Sequence, residues 1–261
     1  MAGQLAESPA CDGISLFRAV LTGELLIRLK AKIDSLYRNV ELARQNGDAA
    51  EVTRLIGVSE RFVPAASSFT IGAISSETDI RELLALIVNG PSAAWLRARL
   101  GEDLLCNLDQ SWVRRQYAPS RYPPLHAPHS WHQDGALKFD FFSHQNVELP
   151  PDALLNMVAC WLALDSCGLE APGIELSLQR FDGLLKPSEL RNEAVEARFA
   201  PDKLWRPILQ SGDALLFCGD ILHRTHVLPI MTKDRTSIEL RFFPATGIPE
   251  RLQTDRFISV G

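Results

Sequence analysis

Residues 212–225 read GDALLFCGDILHRT, and this stretch decides how the second half of the chain folds. It opens with a Gly-Asp turn, and the apolar run Ala214–Cys218 that follows is typical of a β-strand. The run leads to His223, and a second histidine, His226, lies three residues further on. The stretch therefore predicts a strand-rich core with candidate metal-binding histidines beside it.

The rest of the chain predicts a mainly β fold with flanking helices. Apolar residues recur at helical spacing near residues 25–40, 77–88 and 93–100, and one more helix is predicted at Pro187–Ala197. The other β-rich runs are Trp112–Tyr117, Asn156–Leu164, Ile174–Leu178 and Thr236–Phe243. A helical N-terminal third before many short strands predicts a sandwich or barrel with helices packed outside it.

Composition narrows the class of protein. The chain has 261 residues, 46% of them hydrophobic and 23% charged, which is the balance of a globular protein with one sizeable core. The net charge of −5 argues against a nucleic-acid partner, which would require a basic surface. No run approaches the ~18 apolar residues of a membrane span. Five scattered cysteines without a CxxC pair, and no secretory signal, predict a cytoplasmic protein.

The sequence WHQDG at 131–135 contains a second group of metal-ligand residues. On a strand, His132 and Asp134 are two residues apart and point to the same side. One histidine from the 212–226 region would complete a set of two histidines and one carboxylate. That set leaves open positions on a six-coordinate ion, as non-haem Fe(II) oxygenases require.

The run RTSIELRF at 235–242 alternates polar and apolar residues, as a strand with two different faces does. Arg235 opens it, twelve residues after His223. A guanidinium can bind a carboxylate with two parallel hydrogen bonds, so Arg235 is a candidate to hold the far carboxylate of a 2-oxo acid.

Together these three runs resemble the phytanoyl-CoA dioxygenase family of Fe(II)- and 2-oxoglutarate-dependent oxygenases. The resemblance implies one domain over residues 1–261, with mostly helical support in 1–105 and a double-stranded β-helix, or jelly-roll, catalytic core in 106–248. It implies His132, Asp134 and His223 as iron ligands, with His223 preferred to His226. It also implies contacts to 2-oxoglutarate from Arg235 and Thr225, and a place in the pocket for Gln133.

The implied reaction consumes 2-oxoglutarate and O2 and releases succinate and CO2. Related halogenases have a small residue in place of the carboxylate, so Asp134 favours hydroxylation of an unactivated C–H bond. The expected partner is a small organic metabolite or natural-product intermediate, with no nucleic acid and no membrane. The oligomeric state is left open.

Strand alternation and loop composition suggest further contacts. In the run 112–117, Gln116 is a candidate for the 1-carboxylate of 2-oxoglutarate, while Arg115 and Tyr117 are candidates for substrate; alternation does not say which set faces inward. Phe139, in an aromatic loop after the HxD motif, and Arg241, on the polar face of the last strand, are further substrate candidates.

Two other classes of protein fit part of the pattern. A zinc hydrolase using His129, His132 and Asp134 would activate water, but it leaves the downstream histidine and arginine unexplained. A non-catalytic jelly-roll binding protein would retain the HxD motif without using it in a reaction.

Overall fold

The structure, a computed structural model, describes residues 11–56, 68–73, 77–121 and 127–260. Its helices are α1 (Gly23–Gln45), α2 (Ala49–Ile56), α3 (Glu77–Asn89), α4 (Ala93–Leu100) and α5 (Asn192–Arg198). Its strands in the first half are β1 (Ile14–Phe17), β2 (Ser68–Thr70), β3 (Leu104–Asn107), β4 (Trp112–Gln116) and β5 (His132–Gln133). Those in the second half are β6 (Val158–Ala163), β7 (Gly173–Ser177), β8 (Leu204–Trp205), β9 (Ala214–Cys218), β10 (Leu222–His226), β11 (Arg235–Pro244) and β12 (Phe257–Val260).

Two antiparallel sheets flank a central cavity. The larger has the order β1-β9-β6-β11-β3-β12, with β4 beside β11 and β2 beside β4. The smaller has the order β5-β10-β7-β8. Side chains from both sheets line the cavity, which is the double-sheet arrangement of a jelly roll. The predicted mainly β fold with flanking helices is thus present in the described residues.

The N-terminal region supports the outer face of the larger sheet. Along α1 the buried positions recur every three or four residues and form one apolar stripe: Leu25, Leu29, Ile33, Tyr37, Val40 and Ala43. Helix α4 packs against β6 and β11. This region is not purely helical, because β1 pairs with β9 and β2 pairs with β4. Parts of the predicted helical segment 1–105, namely 1–10, 57–67 and 74–76, lie outside the described residues.

Most predicted elements occur within a few residues of their predicted bounds, with one clear shift. The helix expected at Pro187–Ala197 begins only at Asn192, as α5. The preceding residues form turns instead, in which the backbone N–H of Lys186 donates to the Glu189 carboxylate. A side chain that bonds the nearby backbone in this way competes with helix formation.

The two faces of β11 are both buried, although their chemistry differs. Ile238, Leu240 and Phe242 belong to the apolar core. On the other face Arg235, Glu239 and Arg241 are only 3–8% exposed, and they line the cavity between the sheets. The alternation therefore marks a polar interior rather than a surface exposed to solvent.

Two findings bear on the compartment. No helix among the described residues combines the length and the apolar character needed to cross a membrane. All five cysteines are described, and each is a buried free thiol.

Gly212 provides a test of this architecture. Its φ is +92°, and a Cβ atom built on it would lie 2.1 Å from the carbonyl oxygen of Leu21. We expect Gly212→Ala to lower the free energy of unfolding by about 2–3 kcal/mol, because backbone strain adds to the clash. Gly247 has φ +81° and nothing within 4 Å, so Gly247→Ala should cost only about 1 kcal/mol. Urea denaturation measures both; equal losses would show that the contact with Leu21 is unimportant.

Candidate metal centre

Two neighbouring strands of the smaller sheet bring the two histidines together. In the antiparallel pair β5–β10, His132 lies directly opposite His223, and their ring centroids are 4.1 Å apart. Residues directly opposite each other in a sheet project to the same face. Both imidazoles therefore reach the cavity from the same wall.

Backbone carbonyls fix the orientation of both imidazoles. The Nδ1 of His132 lies 2.7 Å from the Ser130 carbonyl oxygen, and the Nδ1 of His223 lies 3.0 Å from that of Ile221. A carbonyl oxygen can only accept, so each Nδ1 carries the hydrogen. Each Nε2 then keeps its lone pair for a metal, which is the usual outer-shell arrangement of ligating histidines.

A close contact between two glycines positions Asp134. The carboxylate follows β5 in a short 3-10 turn, and the next residue, Gly135, donates from its N–H to the Gly219 carbonyl at 2.8 Å. A Cβ atom on Gly135 would lie 2.4 Å from Leu154 Cδ1 and 2.9 Å from the Gly219 oxygen. Only glycine lets these turns approach so closely, and this contact ties the HxD motif to the turn before β10.

The Asp134 carboxylate completes the cluster. Its Oδ1 is 3.8 Å from His132 Nε2, its Oδ2 is 3.9 Å from His223 Nε2, and one ligand atom from each residue lies within 4.8 Å of the others. Arg241 donates to Oδ1 at 3.0 Å, whereas the buried Oδ2 has no hydrogen-bond partner among the described residues. An unpartnered buried carboxylate oxygen facing two imidazoles fits a divalent cation.

The protonation states also suit a metal. Burial lowers the pKa of His223 to about 4, so its imidazole is neutral at pH 7. Burial alone would raise the pKa of Asp134, but the opposing charge of Arg241 and the two histidines outweigh it and lower that pKa. The cluster thus presents two neutral imidazoles and one carboxylate, which are the forms that bind metals.

Arg235 lies on the opposite wall without a carboxylate partner. It is 3% exposed, its Nη1 donates to Ser237 Oγ at 2.6 Å, and its guanidinium lies 4.8 Å from the centre of the Trp161 ring. No carboxylate of a described residue forms an ion pair with it. A buried, unpaired guanidinium is costly, so this arrangement favours an anionic ligand. Thr225 also lines the cavity.

The cavity is polar over much of its wall. It encloses about 410 Å³ of space, counting the part open to solvent. Beyond the cluster and Arg235, charged and aromatic residues line it, among them Arg114, His129, Trp161, Phe217, Arg224 and Glu239. Glu239 is one that sequence reasoning did not single out as a site residue, although it shares a strand face with Arg235.

Several predicted contacts lie away from the cavity wall. Arg115 points towards α1, where it pairs with Asp34 and stacks 4.1 Å from the Tyr37 ring, because it alternates with Arg114 along β4. Tyr117 is buried, with the Arg121 guanidinium 5.8 Å from its ring.

Phe139 also lies outside the wall, and it packs instead on Phe141, His144 and Arg251. The placement of Arg115, Tyr117 and Phe139 corrects their prediction as substrate contacts. Arg241 does reach the cavity.

The two glutamines are engaged with backbone groups. Gln133 donates to the Asp220 carbonyl and accepts from the Leu185 N–H, on the side of β5 away from the metal cluster. Gln116 lies opposite Arg235 in the sheet but donates to the Tyr117 carbonyl at 3.4 Å. Neither lines the cavity, since each amide meets the main chain nearby.

His226 and His129 lie outside the three-ligand cluster. His226 alternates to the other face of β10, on the side of Arg206 and Glu175. His129 lies at the mouth of the cavity, where its Nε2 is 2.6 Å from Arg114 Nη1. Because a guanidinium only donates, His129 Nε2 accepts that hydrogen bond. The geometry thus favours His223 over His226 and gives His129 a partner other than a metal.

Comparisons with solved structures identify the same fold. EctD from S. alaskensis, solved with 2-oxoglutarate and 5-hydroxyectoine, is 16% identical over 90% of this chain and 73% of its own, with a TM-score of 0.61. The α-ketoglutarate-dependent carbocyclase SnoK from nogalamycin biosynthesis is 12% identical over 89% and 80%, with a TM-score of 0.55. HygX from Streptomyces hygroscopicus, solved with nickel and 2-oxoglutarate, is 12% identical over 90% and 83%, with a TM-score of 0.54. The chain matches no sequence-family profile and no curated protein.

His226 supplies a matched control for the metal cluster. A ligand that binds only the folded protein raises its melting temperature. We expect Co²⁺ to raise the melting temperature of the wild type and of His226→Ala, but not of His132→Ala or His223→Ala. Differential scanning fluorimetry measures each shift. A shift that survives in His223→Ala would place the metal elsewhere.

Proposed function

We propose that this protein is a non-haem Fe(II)- and 2-oxoglutarate-dependent dioxygenase that oxidises a small organic molecule. One observation carries the proposal: the His132–Asp134–His223 cluster faces a cavity whose opposite wall contains an unpaired, buried arginine, Arg235. A metal chelator with a distal carboxylate is the ligand that would satisfy both walls at once.

The donor set fits iron. Two imidazole nitrogens and one carboxylate oxygen on one side of an ion leave positions open for other ligands. Bound there, Fe(II) with 2-oxoglutarate and O2 would supply the oxidising chemistry, with succinate and CO2 as by-products. The protein's own contribution is to hold the ligands in the right protonation state and to orient what binds.

Arg235 and Thr225 would orient 2-oxoglutarate. The guanidinium would bind the 5-carboxylate, since Ser237 and the Pro172 carbonyl fix its position and leave its other N–H groups for the ligand. Thr225 projects from β10 into the same cavity and can donate to the same carboxylate. Gln116, opposite Arg235, remains a candidate for a contact to this cosubstrate only if its amide turns towards the cavity.

We propose hydroxylation as the outcome, because the cluster retains Asp134 and thereby fills the position that a halide would need. The similar structures include an enzyme named as a carbocyclase, so the same scaffold supports more than one oxidation. We also propose membership of the phytanoyl-CoA dioxygenase family, on the motifs WHQDG, GDALLFCGDILHRT and RTSIELRF. The five free thiols support a reducing compartment, and we propose the cytoplasm.

The alternative of a zinc hydrolase is less well supported. It would use His129 with His132 and Asp134, but His129 Nε2 already accepts a hydrogen bond from Arg114. That alternative also leaves Arg235 buried without a ligand to pair with. The alternative of a binding protein accounts for the cavity but predicts no turnover.

Succinate formation tests the proposal. Anaerobically prepared protein is loaded with Fe(II) and 2-oxoglutarate, O2 is admitted, and succinate is measured. We expect slow release even without the true substrate, loss in His132→Ala, and a higher KM for 2-oxoglutarate in Arg235→Gln. Metal affinity should be unchanged in Arg235→Gln, because Arg235 does not contact a ligand.

Two results would contradict the oxygenase. One is a wild type in which Fe(II) with 2-oxoglutarate gives neither succinate nor the visible absorption of their complex. The other is succinate release that persists in His132→Ala. Metal and 2-oxoglutarate that stabilise the fold together without succinate would favour the binding protein.

A further inference from the structure

We propose that Arg241 is a positioning residue that orients Asp134, so that a single carboxylate oxygen, Oδ2, is available to the metal. In this proposal Glu239 fixes Arg241 in turn. The inference rests on the metal site of the proposed function and concerns how that site is held. It assigns Arg241 to the ligand Asp134 rather than to a substrate.

The contacts of one nitrogen carry the argument. Arg241 Nη2 lies 3.0 Å from Asp134 Oδ1 and 3.3 Å from Glu239 Oε2. The side chains of Arg241 and Asp134 are each 4% exposed, and that of Glu239 is 11% exposed. A charge-assisted hydrogen bond in such a setting is strong and directional, so it restrains rotation of the carboxylate.

The arginine itself is held on a rigid element. Arg241 lies in the middle of β11, where it pairs with Ala159 of β6, and its N–H donates to Ser111 Oγ at 3.1 Å. Glu239 is fixed in turn by Arg114, whose Nε donates to it at 2.7 Å. Charges therefore alternate from the cavity wall to the ligand, in the order Arg114, Glu239, Arg241, Asp134.

Glu239 also decides which of two opposing effects dominates. A cation beside a metal ligand repels the metal, whereas a hydrogen bond that orients the ligand favours metal binding. The Glu239 carboxylate offsets the charge of Arg241 and leaves its directional contact with Asp134 intact. We therefore expect orientation to outweigh repulsion, and removal of Arg241 to weaken metal binding.

The experiment measures Co²⁺ affinity at pH 7 by competition with a chromophoric chelator, together with the Co²⁺ absorption spectrum. Arg241→Met should bind Co²⁺ about 10–100-fold more weakly, the range for a lost outer-shell contact. Its spectrum should also change, because the carboxylate is free to rotate. Arg241→Lys retains the charge and can reach one acceptor, so it should lose less affinity.

Arg224→Met is the matched control. Arg224 also lines the cavity and donates to a buried carboxylate, but that carboxylate is Glu175, which belongs to no metal cluster. Arg206 remains bound to Glu175 in this variant, so the buried charge keeps a partner. Co²⁺ affinity should equal that of the wild type.

A double-mutant cycle tests the part of Glu239. Glu239→Gln should weaken Co²⁺ binding in the wild type and have no further effect in Arg241→Met, because it acts through Arg241. Equal losses in both backgrounds would overturn that step.

The failure of this inference is distinct from failure of the proposed function. Wild-type and Arg241→Lys affinities that agree, with an unchanged spectrum, would overturn the positioning role while succinate formation continues. Tighter binding in Arg241→Met would also overturn it, since it would show that repulsion dominates. A wild type that binds neither Co²⁺ nor Fe(II) would overturn the metal centre itself. If Arg241→Met does not fold, the lysine variant and the Glu239→Gln comparison decide the outcome.

Discussion

The register of β5 against β10 is the constraint on which the candidate metal centre depends. His132 and His223 lie opposite each other across that antiparallel pair. A slip of one residue would turn one imidazole to the other face of the sheet. The backbone contact between Gly135 and Gly219 fixes the same register from beyond the strand ends, and so it couples the position of Asp134 to the two histidines.

The second constraint is the burial of charge. The inner face of β11 places two arginines and a glutamate inside the protein, where an unpaired charge is costly. Arg241 and Glu239 are paired with each other and with neighbouring groups, whereas Arg235 has only neutral partners among the described residues. On the proposed function, that difference separates groups that organise the site from the group that receives the cosubstrate.

The segment after β7 supports the site from behind. Phe181, Leu185 and Val195 form a small apolar cluster with Trp131 on the outer side of the smaller sheet. Its backbone is bound to Gln133 and to the Asp220 carboxylate. Gln133 therefore contributes by holding this cover on the strand that carries His132, although its sequence position between the two ligands pointed to the pocket.

Local sequence patterns were sufficient for the elements whose chemistry is local. The spacing of Leu25, Leu29 and Ile33 predicts α1, and the alternation after Arg235 predicts β11. The motif at 131–135 predicts two of the three clustered ligands. Strand alternation divides residues between two faces but does not say which one is inside, so Arg115 was misplaced and Glu239 was missed. The choice of His223 over His226, and the contact between Arg241 and Asp134, depend on which strands become neighbours. Those partners are distant in sequence, and only the packing of the two sheets brings them together.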